Sequence, residues 1–558
     1  MNIIIFIFLN IFLYLLGRSF VLLLIKLSRS NKKINDIKVF DTSLDVFLPV
    51  ISLFFLGNIV LLSNFIFSFN EIRDLFNIFL FILLAINLLE KPKIKFDLYF
   101  VFSFFIIPFL FSLSAYDVWF HFDAKDYHLN AQNYIKESKI IIGLSNLYLG
   151  YGWSTIHEYI SVNFWSGENF IGLHFLNLVY FVTVFNFFTF HLYYKRNIIF
   201  KNTGLFFLIY GFLDNFGFGG GNNGFIQIQS VGKPDVAFGI LFFLINLMLL
   251  AKILEDKFEF NDLIFISYST FFAFQNRISG IYLSPLFFYF LYRYLKTNET
   301  SLYTYLKKIK VLFFLLTAWV VKNLLITSCL IFPISFTCFN TFSWSLNKTE
   351  LENYYYILSV VQNQRIILSS SEEFLDWANH WFNHAYNSRI ILNFIISFFV
   401  IFIVNKFIYK YEYKIFKNNL KLSLYFLFLI GIWFITAPVV RYGFGIFLLI
   451  TSSIYLFNYP KEDRYKFLSS NLLIFSLLFI TALSVPRFYN LTSFIKDPLN
   501  ITELHIENYD FRKVDNSFTF SPTNNDNFCW VKQYCIRENK KHSLNISNGY
   551  TVISENNN

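Results

Sequence analysis

The run His121-Phe-Asp-Ala-Lys-Asp-Tyr-His128 holds the residue types most able to do chemistry in this 558-residue chain. A carboxylate such as Asp123 can take a proton from a hydroxyl, a step worth roughly a hundred- to ten-thousandfold when the base comes within hydrogen-bond reach. Asp126 and His128 complete a candidate catalytic set of two carboxylates and an imidazole. On a helix, Asp123, Tyr127, Ala131 and Tyr134 share one face, while Lys125, Gln132, Lys136 and Lys139 point elsewhere. The spacing predicts a short amphipathic helix lying along a membrane surface, with a carboxylate at its start. The competing reading is a surface Asp that caps a helix N-terminus.

Three basic residues stand in apolar surroundings, where a charge is costly and calls for a functional explanation. Lys322 lies inside an apolar run, Arg441 falls between two runs just after Pro438, and Arg277 occupies the break between two short ones. Each is a candidate for gripping a phosphate through charge-assisted bonds, with snorkelling to lipid headgroups as the ordinary alternative. Lys233 and Asp235, in Lys233-Pro234-Asp235, and Tyr127 are further candidates for substrate contact. The glycine-rich stretch 217–224 follows no strand, so it is no nucleotide fingerprint and reads as a flexible outer loop. Asp376, His380 and His384 recur at a spacing that could clasp a divalent ion. The interleaved Trp377 and Trp381 favour an interfacial helix instead, and no metal site is assigned.

These side chains must be positioned by membrane helices. The chain is 56% hydrophobic and 15% charged, with 79 Phe, far more apolar than a water-soluble domain requires. Apolar runs that read as spans by hydropathy, most of them of membrane-crossing length, recur near 2–25, 44–67, 75–90, 97–115, 171–193, 203–215, 235–253, 262–275, 281–294, 311–328, 389–408, 421–437, 441–457 and 469–486. The fold class expected is an all-α polytopic integral membrane protein with about 13–14 transmembrane helices. The first run lacks a preceding basic stretch and a small-residue cleavage site, so it reads as a retained helix. The short runs 262–275 and 281–294 suit helices that line a cavity.

Basic residues orient the chain. Placing residues 26–43 inside also puts inside the loops with Lys91, Lys93 and Lys95, with Lys195, Arg196 and Lys201, with Lys307, Lys308 and Lys310, and those at 406–421 and 461–466. The net charge of +10 is thus a membrane signature and implies no nucleic-acid partner. Six divisions follow: N-terminal helices 1–115, a first large extracytoplasmic loop 116–170, a transmembrane core 171–328, a second loop 329–388, C-terminal helices 389–486, and an extracytoplasmic tail 487–558. That tail is near the lower limit for an independent core. All four cysteines fall on the oxidising side, where Cys529 with Cys535 and Cys329 with Cys338 is the simplest pairing. Free thiols and a loop-to-tail pairing are the alternatives.

The pattern Asp123-x-x-x-Tyr127-x-x-x-Ala131, opening a helix in the first large outer loop, is similar to the glycosyltransferases of the C superfold (GT-C). More of the chain resembles a group of bacterial polytopic membrane proteins related to that superfold. The resembling pieces are Asp123-x-x-x-Tyr127-His128, Gly143-Leu-Ser-Asn-Leu147, Lys233-Pro-Asp235, Lys322-Asn323 with Cys329 to Pro333, Ala437-Pro-Val-Val-Arg-Tyr-Gly443, and Cys529-Trp530 with Cys535. Two departures stand out. Ala124 follows Asp123 where many GT-C enzymes carry a second acid, and Val439 or Val440 stands where an Asp is expected before Arg441.

The resemblance implies an inverting transfer of sugar from a polyprenyl-phosphate donor to an envelope glycan or glycolipid, with Asp123 as base and fixed cations meeting the departing phosphate. It implies the bacterial inner membrane as location, lipid-linked sugar, acceptor glycan and membrane lipid as partners, and Mg²⁺ or Mn²⁺ as the only candidate cofactors, neither of them fixed. An O-antigen-type polymerase or ligase and a lipid-linked-sugar transporter or flippase are the alternative classes. The absence of a clear internal repeat and the few charges deep in spans weigh against the transporter.

Overall fold

The computed structural model describes residues 2–27, 33–88, 96–194, 196–212, 230–232, 235–298, 301–358, 371–403, 419–457, 485–499, 503–506, 519–520, 529–536 and 542–555. The glycine-rich stretch 217–224, Lys233 and all but the last two residues of the expected span 469–486 lie outside the described residues.

The chain is a mostly helical, multi-pass membrane protein. Helices α1 (Asn2–Leu27), α2 (Leu48–Asn64) and α3 (Leu98–Asp117) come first. The first large loop contributes α4 (Leu129–Glu137) and α5 (Ile156–Ser161). The central part holds α6 (Ile171–Tyr194), α7 (Asp235–Glu255), α8 (Phe260–Asn276), α9 (Ser284–Asn298) and α10 (Lys310–Thr327). Then follow α11 (Ser371–Asn383), α12 (Asn419–Thr436) and α13 (Phe444–Phe457). Among the described residues, α1, α2, α3, α6, α7 and α10 lie in segments long and apolar enough for a full crossing, and α12 and α13 contain shorter apolar stretches. The expected runs at 262–275 and 281–294 form α8 and α9, each too short for a full crossing, with the chain breaking at Arg277 into a 3₁₀ turn, Ile278–Leu283.

Helices α6 and α7 are apolar on nearly every face because nearly every face is packed against other helices. The contact of α7 with α13 is made by glycine. A Cβ on Gly445 would stand 2.6 Å from the Gly239 carbonyl oxygen, and one on Gly239 would stand 2.8 Å from the Phe444 ring. Small residues let the two backbones touch. Asp235 lies one turn before Gly239 and Arg441 one turn before Gly445, so this contact brings the two charges together.

A parallel pair of short strands, β1 (Trp119–Phe120) and β2 (Ser230–Val231), ties the first loop to the entrance of α7. The His121 N–H donates to the Val231 carbonyl at 3.3 Å. Both expected disulfides are present, Cys329–Cys338 and Cys529–Cys535. The described tail residues do not build a separate core; they pack on the first loop. Asn130 and Asn133 donate to the carbonyls of Lys532 and Val531 at 2.9 and 2.8 Å, the Tyr534 N–H donates to the Tyr134 hydroxyl at 2.6 Å, and Trp530 sits edge-on to Phe120. The strands β3 (His542–Ser547) and β4 (Tyr550–Glu555) form a hairpin whose Ile553 is buried against the same loop.

Candidate functional site

Asp123 sits at the start of a π-helical turn, Ala124–His128, that runs into α4. Its carboxylate makes no capping bond, so the capping reading is set aside. It faces Arg441 instead, with Nη2 3.7 Å away. The Asp123 backbone N–H donates to His121 Nδ1 at 3.1 Å, and the same nitrogen is 3.3 Å from the Asp123 carboxylate. Burial alone would raise the Asp123 carboxyl. The hydrogen bond and charge of His121, then Arg441 and His128, outweigh it and hold the group well below the usual carboxylate range.

The helix after Asp123 does not lie open on a membrane surface. Ala131 and Tyr134 are buried as the face predicts, but so are Gln132 and Lys136 on the other side. The Trp165 indole donates to the Gln132 side chain at 2.8 Å, and the Lys136 ammonium donates to the Trp165 carbonyl at 2.9 Å while lying 3.4 Å from the centre of its ring. Segment 164–170 and the tail cover the polar face that the sequence pattern assigns to solvent.

Ala124 explains the missing second acid. It is fully buried against Gly232, which has φ +88°. The left-handed backbone favours glycine there, and the close approach leaves no room for a longer side chain at 124.

A cavity of about 790 Å³ gathers most of the residues that the sequence singles out. His121, Asp123, Asp126, Tyr127 and His128 line it from the first loop, Asp235 from the start of α7, Arg277 from the helix break, and Arg441 from the turn before α13. Arg277 pairs with Asp235, Arg441 Nε lies 3.7 Å from the same carboxylate, and both guanidinium groups lie over the Tyr442 ring, at 3.7 and 5.0 Å. Two arginines and two aspartates thus form one ionic cluster. Around it stand aromatic side chains, among them Tyr148, Trp153, Tyr354 and Trp433, and the apolar Phe238, Phe242 and Ile446 from the helices. Irregular backbone at 277–283 lines this cavity, where water can satisfy its polar groups.

Lys322 does not line the cavity. Its ammonium is buried behind it, donating to the Ser154 carbonyl at 2.7 Å and hydroxyl at 3.1 Å. A cation already enclosed by protein partners is not available to a phosphate, and Lys322 drops from the binding set. Asp376 and His380 lie on the exposed side of α11 and His384 is exposed just past its end, and among the described residues no group of three His, Cys, Asp or Glu could hold a metal ion. The opposite face of α11 carries Trp377 and Trp381 against Trp433 and Phe434.

Three supporting residues escape sequence reasoning. The indoles of Trp381 and Trp433 donate to the carbonyls of Pro438 and Val439 at 2.9 and 3.0 Å, pinning the turn that presents Arg441. Glu158 is completely buried, with one carboxylate oxygen 2.5 Å from His128 Nδ1. Its other oxygen accepts from the Thr155 N–H and hydroxyl at 2.5 and 2.6 Å. The only sequence signal was Thr155-x-x-Glu158, a capping box, which announces a helix start and says nothing of His128.

Residues 1–448 match a family model described as a domain of unknown function, DUF8201. The chain belongs to this family. The match contains every residue that lines the cavity, through Ile446, while the tail lies beyond it. No curated protein and no solved structure matches the chain.

Proposed function

We propose that this DUF8201 protein is a membrane glycosyltransferase that moves a sugar from a polyprenyl-phosphate donor to an envelope glycan or glycolipid, with inversion at the anomeric carbon. One observation carries the proposal: Asp123, Asp235, Arg277 and Arg441 meet in a single cavity that also has apolar walls from the helices. A lipid phosphate needs that pairing of cations with apolar surface. Arg277 and Arg441 would receive the phosphate through charge-assisted bonds and neutralise it as it leaves. Phe238, Phe242 and Ile446 offer apolar surface to the first isoprene units, and Trp153 and Tyr354 offer faces on which a sugar ring can stack. The proton of the acceptor hydroxyl falls to one of Asp123, Asp126 and His128, all of which line the cavity.

The location proposed is the bacterial inner membrane, with the cavity opening on the extracytoplasmic side. The donor set fits a divalent metal poorly. Asp123 and Asp235 are already paired with arginine, and Ala124 occupies the place of a second acid. No step is therefore routed through Mg²⁺ or Mn²⁺. An O-antigen-type polymerase or ligase is the second reading, because it would use the same lipid-linked substrates and draw on the two arginines.

Binding of polyprenyl phosphate to the nanodisc-embedded protein tests the proposal, with the matching prenol lacking phosphate as control. Phosphate-dependent binding that fails in Arg277→Ala and Arg441→Ala is the expected result. Equal binding of prenol and prenyl phosphate would refute it. The product separates the two enzyme readings: addition of a single sugar from a monosaccharide donor favours the glycosyltransferase, and joining of preformed lipid-linked oligosaccharides favours the polymerase or ligase.

A further inference from the structure

We infer that His128, backed by Glu158, is the group that accepts the proton of the attacking hydroxyl, and that Glu158 is a positioning residue that sets the tautomer of His128. The inference rests on the sugar-transfer reading and names its proton acceptor.

The geometry selects His128 from the three candidates. Asp123 is occupied by Arg441 and His121, and Asp126 accepts from the Tyr148 hydroxyl at 2.7 Å. A carboxylate held in an ion pair with arginine is also a weaker base, since the cation stabilises its charged form and proton uptake in a transition state follows basicity. His128 differs. A carboxylate only accepts hydrogen bonds, so the 2.5 Å contact with Glu158 places the hydrogen on Nδ1. That leaves the Nε2 lone pair for the cavity that His128 lines. Glu158 cannot turn away, because the Thr155 N–H and hydroxyl hold its second oxygen at the first turn of α5.

The resulting step balances. The acceptor oxygen attacks the anomeric carbon as its proton passes to His128 Nε2, and the bond from that carbon to the donor phosphate oxygen breaks with its electron pair. Polyprenyl phosphate departs against Arg277 and Arg441. The buried Glu158 carboxylate stabilises the imidazolium, which then releases its proton to water in the open cavity.

Replacing Glu158 by Gln gives an informative variant. The two Thr155 donors retain the amide oxygen, so the amide NH₂ faces His128 Nδ1 and forces the hydrogen onto Nε2. The imidazole then donates where it should accept. The test uses the full-length protein in nanodiscs with ¹⁵N-labelled histidine, assigning His128 by its loss in His128→Gln. In parallel, transfer of radiolabel from polyprenyl-phosphate sugars into envelope glycan is measured in cells that rely on each variant. Expected are an Nδ1–H signal for wild type, an Nε2–H signal for Glu158→Gln, and transfer reduced on the order of 10³-fold or more in both variants at normal protein level. His128→Gln keeps a donor to Glu158 and decides the matter even if Glu158→Gln fails to accumulate. A wild-type Nε2–H signal, or near-normal transfer by His128→Gln, would overturn the inference and leave sugar transfer standing. No transfer by wild type would overturn the sugar-transfer reading, and the inference with it.

Discussion

Replacing Gly232 by Ala should disturb the cavity without touching any group that lines it. At φ +88° a side chain strains the backbone, at a cost of about 1–2 kcal/mol. A Cβ there would also overlap the Ala124 Cβ and stand 3.2 Å from the Ala124 Cα. Restoring ordinary carbon contact at about 3.5–4.0 Å requires a shift of about 1 Å between β2 and the π turn that follows Asp123. Overpacking of that size typically costs about 1–3 kcal/mol, for a total of about 2–5 kcal/mol. It also moves Asp123 relative to Arg441, and a misplacement of about 1 Å can cost on the order of a hundredfold in rate. The assay is thermal unfolding of the detergent-solubilised protein, run as a double-mutant cycle with Ala124→Gly. Removing the Ala124 methyl makes room for the new one, so the double variant should recover the overpacking part, about 1–3 kcal/mol, and retain only the backbone strain. Strict additivity of the two substitutions, or a Gly232→Ala protein as stable as wild type, would refute the account of why these positions are small.

Arg441→Ala should weaken polyprenyl-phosphate binding about ten- to hundredfold, the worth of one charged hydrogen bond, as measured by titration into nanodiscs. Lys322→Met should leave that binding unchanged while lowering thermal stability by about 1–3 kcal/mol, because the buried Ser154 carbonyl loses its donor. Trp381→Phe removes the N–H that holds the Pro438 carbonyl and should cost about 1 kcal/mol in thermal unfolding. Burial lowers the His157 imidazole from its usual 6.5 to about 4, with Glu158 opposing and His128 adding to the effect. The unfolded chain therefore binds a proton that the folded chain refuses between those values, and stability falls as the pH drops through them. Acidifying from pH 7 to 4 should remove about 3 kcal/mol through this residue, and His157→Phe should flatten that part of the stability profile.

Much of the site was legible because charge is conspicuous in apolar sequence. Asp123, Arg277 and Arg441 stood out by their surroundings, and all three line the cavity. Lys322 stood out for the same reason yet is enclosed by Ser154, because burial near apolar runs does not distinguish a charge open to a ligand from one satisfied by protein. The surface helix at 129–137 was half legible. Its apolar face follows from period, but the cover on its polar face comes from residues 164–170 and 529–536.

Composition and hydropathy alone determined a helical membrane protein, because a span must be apolar along its length and the code for that is local. Cysteine placement made the two local disulfides the simplest pairing, with partners 9 and 6 residues apart, and the folded chain chose that pairing over a loop-to-tail one. Tertiary structure decided the rest. The meeting of Asp235 with Arg441 depends on two glycines in helices some two hundred residues apart, and the pairing of His128 with Glu158 depends on how two loop helices pack. Neither leaves a periodic trace, because a contact between distant segments is specified by shape and by satisfying buried polar groups, and both exist only once the chain is folded.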